Sequence, residues 1–524
     1  MADKKTNIAP TSPATAVPVA PQTAKAPTAA TPTFTLDAPL RWKAANSVEQ
    51  KVLENLQGNI LKGHGRDHTA NIFFQFGADK VKSRRALRQL GNFHVTSAYK
   101  QLLSTQAFKE HGADGGTFCA AFISAKGYRS LGLTFKTPAH NTAFDAGMKD
   151  PASLAKLGDP KVSKWETEFQ KDFDGMVLVA DDDTVRGAVE AAKVVELLKD
   201  GGCTIVKKQM GKALRNSVGN GLEHFGYVDG RSQPLMLVED IESESRDEGI
   251  VRWDPTSALS KALVPDPLAG DAAGLSFGSF FIFRKLEEKV RDFKSKEQDL
   301  ADALNLTGPD QRELAGALLV GRFEDGTPVT LSDEGRGSKA PPNDFNYNND
   351  TTGSRCPFHA HIRKTNPRGS GGFNQDLAAE QAHIMPRRGI TYEDTPREVH
   401  PDTLPASSSR QDFLDNVAPS LPEGGLGLLF MAYNAKLEEQ FVFTQSSWAN
   451  SPGFPQVPPT VPSHPAGLDG VIGQPAKPAD EHFYRSHWDE PASASIGFKG
   501  FNGFVHMKGG EYFFAPSLQF LRNL

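Results

Sequence analysis

The sequence predicts an α+β protein, and three observations carry that reading. Segments of helical and of strand periodicity are interleaved along the chain rather than grouped. The mixture comes in two passes of comparable content that divide after Val238. The 524 residues exceed one typical core, and 34 Phe against 8 Tyr and 5 Trp make the apolar interior phenylalanine-weighted.

Residues 1–35 are largely Ala, Pro and Thr, a composition that cannot offset the entropy of ordering, and read as a tail. Helical spacing begins in SVEQKVLENLQGNIL, where Val48, Val52, Leu53 and Leu56 follow Ser47 as cap and Gly58 supplies the stop. NIFFQF reads as a strand, RRALRQLGNF as a helix, TFCAAFIS and DGMVLVADD as buried strands, and TVRGAVEAAKVVELLKDGG as a long helix ended by glycine. These make a first domain, 36–238. The second, 239–524, opens with the strand SFGSFFIFRKL, continues through helices at VRDFKSKEQDLADALNL and QRELAGALLVG, and closes with strands GLLFMAYN and EQFVFTQ. Within it, PPNDFNYNNDTTGSRCPFHAHIRKTNPRGSGGFNQD is a long aperiodic stretch, of the kind that usually carries function. SPGFPQVPPTVPSHPAGLDGVIGQPAKP reads as a proline-rich surface traverse.

A net charge of −5 leaves no broad basic face, which argues against a nucleic-acid partner. Cys119, Cys203 and Cys356 are too few and too far apart for a disulfide framework or a metal knuckle. Pro and Thr interrupt every apolar pair in the first twenty residues, so a cytoplasmic protein is expected, and no window is long and apolar enough for a membrane anchor.

Three constellations could carry chemistry. In HAHIRKTNPR, His359 and His361 stand two apart, followed by Arg363, Lys364 and Arg368. As a strand, the pair could share a zinc ion, but no third ligand lies near; as a loop, it would be plain surface. As an axial haem ligand, one imidazole would bind iron and the following cations would pair with the two propionates. With no Cys-x-x-Cys-His in the chain, such a haem would be held without thioether bonds. In EHFGYVDGRSQP, Asp229 lies between Gly226 and Gly230: a turn, or a carboxylate beside backbone that can approach a flat ligand. In HIMPRRGITY, Arg387 and Arg388 are flanked by apolar residues: a solvated pair, or a fixed positive charge beside an oxygen that becomes negative.

Together these segments resemble the dye-decolourising peroxidases. GYVDG is similar to that family's GxxDG motif, CPFHAHIRKTNPR to its proximal-histidine segment and RRGITY to its distal-arginine segment; LQGNILKG, GLLFMAYNAKLEEQFVFTQSSW and LDGVIGQ extend the likeness from about residue 50 to the C-terminus. The resemblance implies two ferredoxin-like domains with non-covalent haem b in the C-terminal half. It implies Asp229 as distal acid/base, His361 as iron ligand, Arg387 as distal arginine, Arg368 as a propionate partner, Gly230 beside the cofactor, and Leu428 and Phe430 as apolar lining.

Two departures qualify the match. Gly389 stands where some bacterial members carry asparagine, and His359 where a small residue is expected; Arg388 is the alternative to Arg387 if the register slips by one. The implied reaction consumes hydrogen peroxide and takes single electrons from dyes, phenols or similar small donors, with Tyr433 and Trp448 as relays or simply core aromatics. Glu438 and Glu439 are the nearest candidates for a carboxylate behind His361. The rival reading is a non-catalytic haem-handling protein, which needs the ligand but neither Asp229 nor Arg387. Oligomeric state and the natural reductant are not legible in the sequence.

Overall fold

The computed structural model describes residues 34–461, 464–474 and 481–524; the tail reading for residues 1–33 lies outside them. A first helix, α1 (Ser47–Asn55), is capped by Asn46, not by Ser47: the Asn46 side chain accepts from the Val48 and Glu49 amides, and Glu49 reaches back to the Asn46 N–H. The first pass then runs β1 (His68–Gln75), α2 (Lys80–Phe93), α3 (Ala98–His111), β2 (Phe118–Ile123), β3 (Gly175–Asp181), α4 (Thr184–Asp200) and β4 (Thr204–Lys212). The second runs β5 (Phe277–Glu288), α5 (Val290–Ala303), α6 (Pro309–Val320), a short α7 (His361–Thr365), β6 (Ile390–Glu393), β7 (Leu426–Asn434) and β8 (Val505–Ala515).

Strand pairing repeats with the passes. The sheet order is β4-β1-β3-β2-β8-β5-β7-β6, so each pass contributes four antiparallel strands in the order fourth, first, third, second. That is the βαββαβ arrangement of a ferredoxin-like unit, present twice. The units join where Phe514 of β8 pairs with Ile123 of β2. The free edges also meet: the Leu214 N–H donates to Thr391 Oγ1 at 3.1 Å, and the Thr391 hydroxyl donates to the Lys212 carbonyl. Both edges are thereby covered as in a barrel.

Phenylalanine fills the interior. Phe73 of β1 meets Phe283 of β5 edge-on at 4.8 Å, and Phe122 stacks on Phe281 at 4.1 Å. Each such fully buried ring contributes about 1.5–3 kcal/mol by leaving water. Alternation then sorts the C-terminal strands. Leu429 and Met431 point into this core, whereas Leu428 and Phe430 face the other way, opposite Leu286 and Arg284 of β5. This second sheet face forms one wall of a cavity.

One expected element differs. EQFVFTQ is helical, not a strand: Glu438–Val442 and Thr444–Ala449 carry wide π-type turns, with Val442 N–H bonded to the Leu437 carbonyl and Asn450 N–H to that of Gln445. Its buried positions, Gln440, Phe441, Val442, Gln445, Trp448 and Ala449, recur at helical spacing that a seven-residue window is too short to show.

Candidate active site

A cavity lined mainly by the C-terminal half, with residues 223–232 of the first half completing its wall, holds about 1820 Å³ of atom-free space, its open mouth included. Leu286, Leu428 and Phe430 line it from the sheet, His361 and Ile362 from α7, and Asp229 and Arg387 from two loops.

Asp229 sits at the end of a tight hairpin. The Glu223 N–H donates to the Tyr227 carbonyl at 3.1 Å and the Asp229 N–H to that of Gly221 at 3.0 Å, with Gly226 turning the tip at φ +105°. Gly230 follows at φ +81°, where a β-carbon would be strained, so the chain turns away and leaves the Asp229 carboxylate partly exposed in the cavity. Its Oδ1 lies 3.5 Å from Arg387 Nη1. Gly230 itself lines an adjoining cavity of about 960 Å³ that shares Asp229, Arg387, Gly389 and Leu428 with the first.

Arg387 and Arg388 are neighbours in extended backbone and point to opposite sides. The Arg387 guanidinium donates to the Arg231 carbonyl and faces the cavity. Arg388 turns into the N-terminal half, where it donates to the carbonyls of Asn59, Ile60 and Arg387. The register ambiguity between the two is a difference of direction.

His361 opens α7, and its Nδ1 lies 2.8 Å from Asp469 Oδ2. Asp469 is fully buried and accepts from the Val471 and Ile472 amides through Oδ1. Burial works against a charged imidazole, but the Asp469 charge and hydrogen bond outweigh it and raise the His361 pKa. Among the described residues the His361 ring bonds through Nδ1 alone, leaving Nε2 toward the cavity. The carboxylate behind His361 is therefore neither Glu438, which accepts from Thr142 and Ala143, nor Glu439, which pairs with Lys436 and His140. Asp469 lies in the LDGVIGQ segment, so the signal was there without its partner.

His359 is buried elsewhere, its ring edge-on to Tyr484 at 4.7 Å, and burial pushes its pKa well down. Two of the three cations after His361 also point away. Arg363 is buried against Asp350 and the Cys356 carbonyl, and Lys364 donates to the carbonyls of Ser451 and Gly467. They pin the loop rather than meet a cofactor.

Arg368 does reach the cavity wall. It holds φ +51°, a conformation costing on the order of 1 kcal/mol outside glycine, and is fixed by bonds to the Asn343 and Phe345 carbonyls and to Ser232 Oγ. Beside it, Arg322 donates to the carbonyls of Gly326 and Pro342, a cavity residue that the sequence reading missed because it ends a helix–loop stretch without a motif. No carboxylate pairs with either among the described residues, and burial pushes them down to about 9 for Arg368 and about 10 for Arg322. Two buried cations with neutral partners are the setting that an anionic ligand group completes. Tyr433 and Trp448 are both core aromatics: Tyr433 packs on Phe281 in the barrel, and Trp448 stacks on Phe454 at 5.1 Å.

Against known proteins, a family model described as the DyP dimeric alpha+beta barrel domain matches residues 55–213. The multifunctional dye peroxidase DyP2 of an Amycolatopsis species is 44% identical over 492 residues, covering 93% of this chain and 99% of that protein. The chain belongs to the dye-decolourising peroxidase family. The solved structure of that DyP2 superposes with a TM-score of 0.85 at 42% identity, over 94% of this chain and 100% of the other. A DyP-type peroxidase of Anabaena superposes at 0.81 with 36% identity, over 92% and 96%. Dye-decolourising peroxidases are haem enzymes, and this chain is accordingly a haem peroxidase. The residues present fit the group: a free imidazole nitrogen backed by a carboxylate, a wide apolar cavity, and buried arginines lacking counter-ions.

Proposed function

We propose that the protein binds haem b without covalent attachment, with His361 as the residue that would hold its iron, and reduces hydrogen peroxide while oxidising dyes, phenols or similar one-electron donors. The observation that carries this is the His361–Asp469 pair opening onto the same cavity as Asp229 and Arg387, both close enough to His361 to act on its charge. Bound there, haem supplies an iron that takes peroxide and a ring system that exchanges single electrons.

The chain's own contribution is then acid/base and electrostatic. Asp229 would take a proton from one peroxide oxygen and return it to the other, so that water can leave as the haem supplies the two electrons that the broken O–O bond requires. Arg387, fixed through the Arg231 carbonyl, stabilises the negative charge that develops on the departing oxygen. Asp469 holds His361 in the tautomer that presents Nε2 and raises its basicity. Arg368 and Arg322 are assigned to the propionates, and Leu428 and Phe430 keep the reacting oxygens among apolar surfaces. A haem carrier needs the ligand, but it has no use for the Asp229–Arg387 pair. The boundary proposed for the two halves, 36–238 and 239–524, leaves each with one complete βαββαβ set.

Two results are expected. Asp469→Asn should weaken haem retention about tenfold to a hundredfold, the usual effect of losing such a partner; haem transfer to an apo-globin scavenger measures it. Dye turnover should peak below neutrality, because carboxylates titrate roughly two and a half units below histidine and keep their basic form in mild acid, while peroxide reduction consumes protons. A pH profile of dye oxidation tests the overall proposal, and an optimum above neutrality would contradict it.

A further inference from the structure

At the base of the hairpin that carries Asp229, two glutamates meet. Glu223 Oε2 accepts the Phe225 N–H at 2.7 Å and its Oε1 the Tyr227 N–H at 3.0 Å. Glu288, the last residue of β5, accepts the same Phe225 N–H at 3.1 Å, so the two carboxylates converge on one donor. Glu288 is 3% exposed, and both residues line the cavity. Two carboxylates have only acceptors, so a hydrogen bond between them requires one proton. Glu223, already accepting two backbone amides, is the ionised partner; Glu288 holds the proton and donates it.

We infer that Glu223 and Glu288 form a proton-locked clasp that docks the Asp229 hairpin onto the sheet, making Glu288 a positioning residue for the acid/base group. The inference rests on the reading of Asp229 given above. Unclasped, the hairpin keeps its ties from His224 to Tyr392 and Arg397, from Tyr227 to Glu297 and from the Val228 N–H to the Glu324 carbonyl, but it loses its tie to the end of β5, and the distance from Asp229 to Arg387 is held less tightly.

The surroundings keep the proton in place. Burial and then the Glu223 charge push the Glu288 acid well above the usual carboxyl range. The Arg397 guanidinium faces the pair, but it donates to the carbonyls of Val399 and His224. Lys294 of α5 is held by Glu297 and Glu324; on β6, Tyr392 is kept neutral by burial and Glu393 acts on Arg397, and His224 is neutral, pushed down to about 3 by burial. The sign follows. An unfolded glutamate gives up its proton near about 4.3, whereas the clasp retains it, so the docked state is favoured at low pH and lost as pH rises through the raised value.

The test uses the full chain with Glu288→Gln and Glu288→Leu. Glutamine donates an amide N–H to Glu223 and does not titrate; leucine cannot donate. Hydrogen exchange of the Phe225 and Tyr227 amides should quicken about tenfold in Glu288→Leu and stay near wild type in Glu288→Gln. In wild type, protection should fall at alkaline pH beyond the intrinsic base effect, and in Glu288→Gln it should not. Above the value of about 7 to which Glu297 and Glu313 are raised, a protonated-carboxyl infrared band should be stronger in wild type than in Glu288→Gln, a comparison that stands even if the leucine variant does not fold. Equal loss of protection in both variants, no such excess in wild type, or wild-type protection unchanged in alkali would overturn the clasp. These readings do not depend on what Asp229→Asn does to the peroxide reaction, so the clasp and the role of Asp229 fail separately.

Discussion

His361→Ala is expected to give a folded chain that takes up no haem, whereas His359→Ala is expected to load as wild type does. Only His361 combines a cavity-facing nitrogen with a carboxylate behind it; the Asp469 hydrogen bond fixes the ring, and the unused Nε2 opens to the space that a flat ligand would fill. His359 is packed between Tyr484 and His482 and does not line the cavity. Its truncation leaves a void, with an expected cost of about 1–3 kcal/mol in stability and none in ligation. Soret absorbance per chain after reconstitution, with thermal unfolding of both apoproteins, separates the two effects. A His359 variant that alone lost haem would reverse the assignment.

The second large effect is expected at Arg387. Arg387→Leu should keep its haem and slow the response of the haem spectrum to peroxide about a hundredfold or more, the size of effect seen when a donor to a developing oxyanion is removed. Arg388→Leu should behave differently, since Arg388 spends its donors on the Asn59, Ile60 and Arg387 carbonyls. Its loss lowers the unfolding temperature by removing charge-assisted bonds between the two halves, and leaves the peroxide response near wild type. Stopped-flow mixing of both variants with peroxide measures this directly.

The sequence made the elements legible and left their pairing hidden. Runs such as TFCAAFIS and TVRGAVEAAKVVELLKDGG declare themselves by local period, but the repeated fourth-first-third-second strand order depends on contacts like Ile123 with Phe514, hundreds of residues apart. EQFVFTQ was misleading because β-branched and aromatic residues also suit a buried helix when their neighbours complete its period. The site divides the same way. Asp229, His361 and Arg387 announce themselves through short motifs, and the cavity brings all three together. Asp469 could not be paired with His361 across 108 residues, and Arg322 has no motif at all. Arg363 and Lys364 looked like cofactor partners because charge next to a ligand is visible in sequence, while the direction of a side chain is not.

On the proposed function, Asp229 moves the peroxide proton in the cavity where His361 would hold haem. The most direct test is stopped-flow mixing of haem-loaded wild type and Asp229→Asn with equimolar peroxide, followed by a dye. The account predicts a rapid change in the wild-type haem spectrum that dye reverses, and a response slower by about a hundredfold or more in Asp229→Asn at equal haem content. An Asn variant that matched the wild-type rate, or a wild type that bleached without a dye-reversible response, would contradict it.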